Sequence, residues 1–339
     1  MVTKREVLSR PVKTLDVRER SVSELLKEMA KTGFQGKKLG EVADIWTSML
    51  RAKGLTIFMG LTGSLSTTGQ WKIIRWLVEK RYVDVIVSTG ANISEDLLEA
   101  LGYHYYQGTQ LANDEELLRL KIDRFYDVYA DEMEYRKLEN TIKTYASGLD
   151  PARPYSTREF LHGFGEFLHN KGVKSIVEAA YRRGVPIYSP GLIDSGYGVA
   201  LSLLKREQGK LIMLDQTKDM EELAQIAERA RKTGVVYIGG GVPKDTIQLS
   251  TIIKSLAKGG DEPTPHRFAV QITADSPQWG GLSGCTLEEA ISWGKIAADS
   301  DKSVLYADAT LALPLIAHAL NERVEKRADP PDLRWVFTS

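Results

Sequence analysis

The sequence predicts an α/β fold, a doubly wound and mostly parallel sheet with a Rossmann-like ligand site, a helical N-terminal extension and a helical insertion. Three observations lead there. Short apolar runs recur along the chain: LTIFMGL (55–61), VDVIVST (83–89), VPIYSP (185–190), KLIMLD (210–215), GVVYIGG (234–240), HRFAVQIT (266–273) and KSVLYAD (302–308). Most are continuously apolar rather than alternating, as strands buried on both faces are. Segments with helical spacing lie between them, and strand–helix alternation builds a doubly wound sheet.

Residues 1–53 read as the helical extension. SVSELLKEMAKTGF carries a Ser21 cap signal with Leu25, Leu26 and Met29 at helical spacing, and KKLGEVADIWTSML continues the pattern. The charged stretch 110–172 reads as the helical insertion, with a second start signal at Ser156. With no Pro/Gly/Ser-rich linker and no repeat period, 1–339 is expected to form one domain. EEAISWGKIAADS (288–300) reads as a helix with Ala290, Ile291 and Trp293 on its apolar side and Lys295 in its middle.

Composition narrows the function. A chain of 339 residues, 42% hydrophobic, can bury a large core. Lys plus Arg and Asp plus Glu both number 45, so no basic surface points to nucleic acid, and neutrality suits association between identical subunits. Cys285 is the sole cysteine, which excludes an internal disulfide and fits a reducing, cytoplasmic setting. The first twenty residues lack an apolar signal core, and no run approaches the roughly 18 apolar residues of a membrane span. His162 and His169 are seven apart and read as an ordinary polar helix face, so no metal is expected.

The ends of the predicted strands are rich in small and acidic residues. They include Thr62 to Gly69, Ser88 to Asn92, Gly191 to Gly196, Gly239 to Gly241, Thr273 to Asp275 and Ala307 to Thr310. Ligands of open α/β sheets bind beyond such ends, where small residues admit close backbone and an Asp accepts from ribose hydroxyls. Turn chemistry explains any one of these loops. Together they point to a dinucleotide, although the GxGxxG fingerprint is absent. Lys295 stands beside Trp293 and Ile296, downstream of the glycine-dense SPQWGGLSGC loop (276–285). A lysine attacks carbon only when neutral, and apolar walls favour that form. Periodicity alone favours a solvated helix lysine.

SWGKI (292–296), YADAT (306–310), GGGVPK (239–244), SPGLIDSGYG (189–198) and VDVIVSTGANISEDL (83–97) resemble the deoxyhypusine synthase family over residues 34–320. The resemblance implies an NAD-binding fold, usually a homotetramer with paired sites at subunit interfaces. It also implies a reaction: spermidine is oxidised to an imine, its aminobutyl group passes to an enzyme lysine, and diaminopropane leaves. The group then moves to a lysine of the hypusine-containing translation factor and is reduced there, NAD being recycled. By resemblance the nucleophile is Lys295. NAD contacts carry over to Gly63, Ser64, Thr67, Thr89, Gly90, Ala91, Glu95, Asp194, Gly240, Asp308 and Ala309. The amine side carries over to Glu95, Asp245, Gly280, Gly281, Leu282, Glu289 and Trp293.

Departures gather on the amine side. Asp245 stands for a histidine, and Val199, Leu282 and Ser94 stand where acids are expected. Such sites resemble relatives that make small polyamines such as homospermidine. An NAD-binding module without catalysis is a third reading, opposed by the intact SWGK.

Overall fold

The computed structural model describes residues 3–257, 259–260 and 264–338, so the termini of the expected 1–339 domain and the gaps at 258 and 261–263 lie outside the described residues. After a single N-terminal turn, α1 (Lys4–Val7), the extension folds as α2 (Val22–Met29) and α3 (Phe34–Arg51). A capping box starts α2: the Ser21 hydroxyl accepts from Glu24 N–H while the Glu24 carboxylate accepts from Ser21 N–H.

The core is a six-stranded sheet of β1 (Leu55–Leu61), β2 (Val85–Thr89), β6 (Ile187–Gly191), β7 (Lys232–Ile238), β8 (His266–Thr273) and β9 (Ile296–Tyr306). Every pairing in it is parallel, in the order β6-β2-β1-β7-β8-β9. Counting these strands alone, the order is 3-2-1-4-5-6, the dinucleotide-binding order, whose switch point lies between β1 and β7.

Side-chain alternation divides each strand between two cores. Ile57, Met59 and Leu61 of β1, Ile86 of β2, and Val236 and Ile238 of β7 face the larger core, closed partly by α3, by α4 (Trp71–Glu79) and by α14 (Ala309–Arg323). Phe58, Val85, Val87, Val235 and Tyr237 face the smaller one, with Leu223 and Ile226 of α11 (Gln216–Arg229) and Ile247 of α12 (Gly241–Ala257). Both faces are covered, which explains why the strands read as unbroken apolar runs.

Three expectations need correction. First, residues 110–172 are not wholly helical. Between α5 (Asp96–Ala100) and α7 (Glu132–Ser147), strands β3 (Tyr105–Gln107), β4 (Ile122–Phe125) and β5 (Val128–Asp131) form a small antiparallel sheet, with α6 (Asp114–Leu120) between β3 and β4. The helix stops where Lys121 turns left-handed at φ 56°, and IDRF-YD-VYAD is β-branched and aromatic beneath its charges. From Ser156 the expected helix does form as α8 (Thr157–Asn170), again with a capping box. It is followed by α9 (Ile176–Arg183) before β6 and by α10 (Gly196–Gln208) after it.

Second, KLIMLD (210–215) is no strand of the sheet. Leu214 makes one bridge to Tyr155, while Leu211 and Met213 are exposed, so the segment has no second face to bury. Third, Lys295 is not mid-helix. Helix α13 covers only Glu289–Ser292. Gly294 takes φ 67° and its N–H donates to Ile291 O at 2.9 Å, while Lys295 N–H reaches Ala290 O at 3.0 Å. These paired bonds form a Schellman motif, which ends the helix and delivers Lys295 to the start of β9.

Candidate active site

A cleft of about 550 Å³ opens at the carboxyl ends of β1, β7, β8 and β9. Gly63, Ser64, Thr67, Asp308 and Ala309 line it, as do Thr62, Gly239 and Thr273. Its loops are shaped by glycine where no side chain fits. A Cβ on Gly239, at φ +75°, would stand 1.9 Å from Thr62 Oγ1. Asp308 caps α14, its Oδ1 accepting from Thr310 N–H at 2.7 Å.

Thr89 ends β2, Gly90, Ala91 and Glu95 follow it, and Asp194 follows β6, beside the cleft rather than on its wall. Asn92 ties the loop after β2 to the loop after β1. Its side chain accepts from Leu65 N–H at 3.0 Å and donates to Gly63 O at 2.6 Å. Ser64 Oγ donates to Glu95 Oε2 and lies within hydrogen-bond distance of Thr67 Oγ1, at 2.7 Å in each case. A Cβ on Gly90 would approach Ser195 Oγ to 2.4 Å, so only glycine lets the β2 loop meet the β6 loop. Burial pushes the Glu95 carboxyl above its usual range, against the lowering effect of the Ser64 bond.

The next residue, Asp96, is fully buried and accepts from Ile176 N–H at the start of α9, at 2.6 Å. Burial raises its pKa from 3.8 to about 7. A raised carboxyl contributes stability that is complete below the unfolded value and is lost as pH rises through the folded one. Wild-type stability from this group should therefore fall between about pH 4 and 7. Asp96→Asn should flatten that part of a urea-midpoint series taken across pH; an unchanged slope would refute the assignment.

A second cluster forms beyond β7 and β8. Gln271 donates to Gly239 O at 2.9 Å and to Ser283 O at 2.8 Å. Buried Lys244 donates to Gln271 Oε1 at 3.0 Å and also to Cys285 O. Desolvation lowers the pKa of this ammonium. Gly240 packs so closely that a Cβ would meet Ser283 Cα at 2.5 Å. The end of the glycine-dense loop is thereby clamped to the sheet, whereas Trp279, Gly280, Gly281 and Leu282 at its tip are exposed. Lys295, 9% exposed, meets Asp245 with Nζ to Oδ1 at 2.9 Å, and the Trp293 ring lies 5.2 Å from the same Nζ. Glu289 is exposed on α13.

The predicted residues thus fall into two groups. The loop at Gly239–Gly241 joins the cleft to the cluster holding Lys295, Asp245 and Trp293. The remaining departures stand apart from that cluster. Val199 is exposed on α10 after β6, and Ser94 is buried against Ala91 O. Four strand gaps of about 4.8 Å each, roughly 19 Å in all, separate β6 from β8. Phe125, Tyr126, Asp127 and Val128, at the β4–β5 turn, also line the cleft. The helical reading of that region concealed them. Among the described residues, no group of three or more metal-ligating side chains occurs, and no helix is long and apolar enough to cross a membrane.

The sequence profile described as deoxyhypusine synthase matches residues 24–320. A protein of Methanosarcina mazei named "Probable deoxyhypusine synthase 2" is 47% identical over 324 residues, covering 94% of this chain and 93% of its own. One of the same name from Archaeoglobus fulgidus is 47% identical over 292 residues, covering 86% and 95%. A crystal structure from Entamoeba histolytica, named provisionally as a deoxyhypusine synthase, superposes with a TM-score of 0.63 at 20% identity, covering 91% of this chain and 96% of that one. This last likeness is one of fold.

Proposed function

The chain belongs to the deoxyhypusine synthase family, and from that premise we propose that it is a cytoplasmic, NAD-dependent transferase. It moves the aminobutyl group of spermidine through an imine on Lys295 to an acceptor amine, by default the lysine of the hypusine-containing translation factor. One observation carries this reading: a nearly buried lysine, fixed by a Schellman turn before β9, whose Nζ reaches Asp245 on α12, the helix that starts from the Gly239–Gly241 edge of the cleft.

The cleft fits NAD. It lies at the sheet's switch point and is lined by small residues that admit close backbone. Gly63, Ser64, Thr67 and Ala309 would hold the cofactor on its wall, with Thr89, Gly90, Ala91, Glu95, Asp194 and Gly240 from the adjoining loops. NAD, when bound, supplies a reversible acceptor for the two electrons of amine oxidation. Asp308, exposed at the head of α14, offers a carboxylate to ribose hydroxyls. Asp194→Ala and Asp308→Ala are expected to weaken NAD binding about ten-fold each, as one hydrogen bond to a charged group predicts. Asp308→Ala should also cost about 1 kcal/mol of stability, because it removes a helix cap. Calorimetry on the folded variants checks both, and undiminished affinity in the two would refute the placement.

The residues around Lys295 perform the group transfer. Its nitrogen forms the new bond to the imine carbon as the bond to the departing amine breaks. The bonds to Ser283 O and Cys285 O fix the end of the adjoining loop beside Lys244 and Gln271. The separation across the sheet supports the homotetramer expected of the family, because a neighbouring copy can bring a β6-end loop to a β8-end cluster.

A second reading, a small-molecule polyamine synthase using the same lysine, draws support from apolar Val199 and Leu282, 40% and 45% exposed where acids are expected. An ammonium held without a carboxylate is costly, so donors with fewer ammonium groups are favoured. Leu282→Asp is then expected to raise the kcat/KM ratio of spermidine to other amine donors about ten-fold, the worth of one well-placed charge pair. The deciding experiment supplies NAD and labelled spermidine, with the translation factor or with free amines as acceptor. Label on the factor's lysine establishes the first reading, and label on free amines alone establishes the second. No transfer to either refutes both.

A further inference from the structure

We propose that Asp245 is a shared counter-ion, which latches Lys295 in the free enzyme and is captured by the ammonium end of the substrate, releasing the lysine to react. The proposal rests on the transfer reading above and specifies the substrate class: an imine or aldehyde that also carries a cationic group. The ion pair is short, at 2.9 Å, with the two side chains 11% and 29% exposed. Among the described residues, Asp245 is the carboxylate within ion-pair range of Lys295 Nζ.

Both mounts are rigid. Asp245 stands on α12 beside Lys244, which is pinned to Gln271 and Cys285 O. The lysine backbone is held by its own N–H to Ala290 O and by His266 N–H to Lys295 O, each at 3.0 Å. The freedom left to the pair lies in its side chains, chiefly the four-carbon lysine stem. The Trp293 face, 64% exposed, already lies 5.2 Å from Nζ, so the lysine keeps one favourable neighbour on the solvent side when it leaves the carboxylate.

An ammonium held on a carboxylate has no lone pair with which to attack. Withdrawing it unaided would leave Asp245 partly buried without a partner, which is costly. A substrate ammonium removes that cost by taking the vacated place, one cation for another. Freed Lys295 then gives its proton to a solvent base, hydroxide or buffer, at the mouth of the site, and its nitrogen attacks the substrate carbon. The latch thereby makes the nucleophile available only when a cationic substrate is seated.

Two aldehydes test this on the full-length protein: γ-trimethylammoniobutanal, and its uncharged isostere in which tert-butyl replaces trimethylammonium. Lys295 nitrogen adds to the aldehyde carbon, water leaves, and cyanoborohydride reduces the imine to a stable adduct counted on the Lys295 peptide by mass spectrometry. The charged aldehyde is expected to label wild type at least about ten-fold faster, equivalent to about 1.4 kcal/mol. Asp245→Asn should bring the ratio close to one, and Asp245→Glu should restore it. Equal rates in wild type, or an undiminished ratio in Asp245→Asn, would overturn the shared counter-ion. Should Asp245→Asn not fold, Asp245→Ser gives the same comparison. Trapping with spermidine and NAD in wild type tests the transfer reading separately: its failure beside an Asp245-dependent aldehyde preference removes that reading and leaves the latch.

Discussion

Lys295→Arg is expected to abolish the borohydride-trapped adduct and to lower turnover by about a thousand-fold or more, as loss of a covalent nucleophile does. A guanidinium keeps its proton and cannot form the imine, yet it retains the charge that faces Asp245 at 2.9 Å in the native pair. The variant therefore separates nucleophilicity from charge. Its fold should survive, because the turn that places residue 295 is made by backbone bonds and by Gly294 at φ 67°. NAD affinity should change little, since the cleft wall contains no atom of Lys295. The measurement is the mass of the residue-295 peptide after reduction with NAD and spermidine, beside steady-state turnover. Full activity in a folded Lys295→Arg would remove the imine mechanism.

That lysine shows where the sequence could be read and where it could not. The six sheet strands were legible because burial on both faces leaves apolar runs without a helical period, as in Leu55–Leu61 with every residue buried. The run at 210–215 has similar composition but no sheet to enter. EEAISWGKIAADS carried its own stop signal, Gly294, yet its apolar spacing simulated a longer helix. Composition cannot distinguish one turn capped by glycine from a helix containing glycine until the backbone bonds are seen.

The loops that build the cleft were legible for a different reason: close backbone approach demands small residues, and these stand at the strand ends. The β4–β5 turn escaped because its strands are short and partly exposed, so charged residues alternate with aromatic ones and imitate a solvated helix. Asn92 escaped as a lone polar residue. Its role exists only in the contact between two loops nearly thirty residues apart, where it meets both Gly63 O and Leu65 N–H of the other loop. The Asp245–Lys295 pair spans fifty positions and has no sequence period at all.

Arg327→Met is expected to destabilise the protein by about 3–5 kcal/mol, the usual cost of removing one partner from a buried ion pair. Residue 327 lies on the segment after α14 that returns beneath the sheet. Its guanidinium, 1% exposed, reaches Asp84 Oδ1 at 2.6 Å, and Asp84 is itself 0% exposed. The same side chain donates to Arg81 O at 2.9 Å and to Leu55 O at 2.7 Å, so it closes the amino ends of β1 and β2. Arg81 also contacts Asp84, but at 3.2 Å and from a more exposed position, and cannot replace both the charge and the two carbonyl bonds. Against a typical total stability of roughly 5–15 kcal/mol the loss is large. Asp84→Asn in the same background should recover part of it, because the uncompensated buried charge is then gone; additive losses would show that the two side chains do not act as a pair. The cleft stands at the opposite, carboxyl ends of the strands, and the bonds that hold Lys295 run to Ala290, His266 and Asp245, not to residue 327. Lys295 capture by the charged aldehyde should therefore persist at low temperature in Arg327→Met, while the urea midpoint falls. A midpoint within error of wild type would show that the return segment is held by Leu333 and Val336 in the smaller core rather than by this arginine.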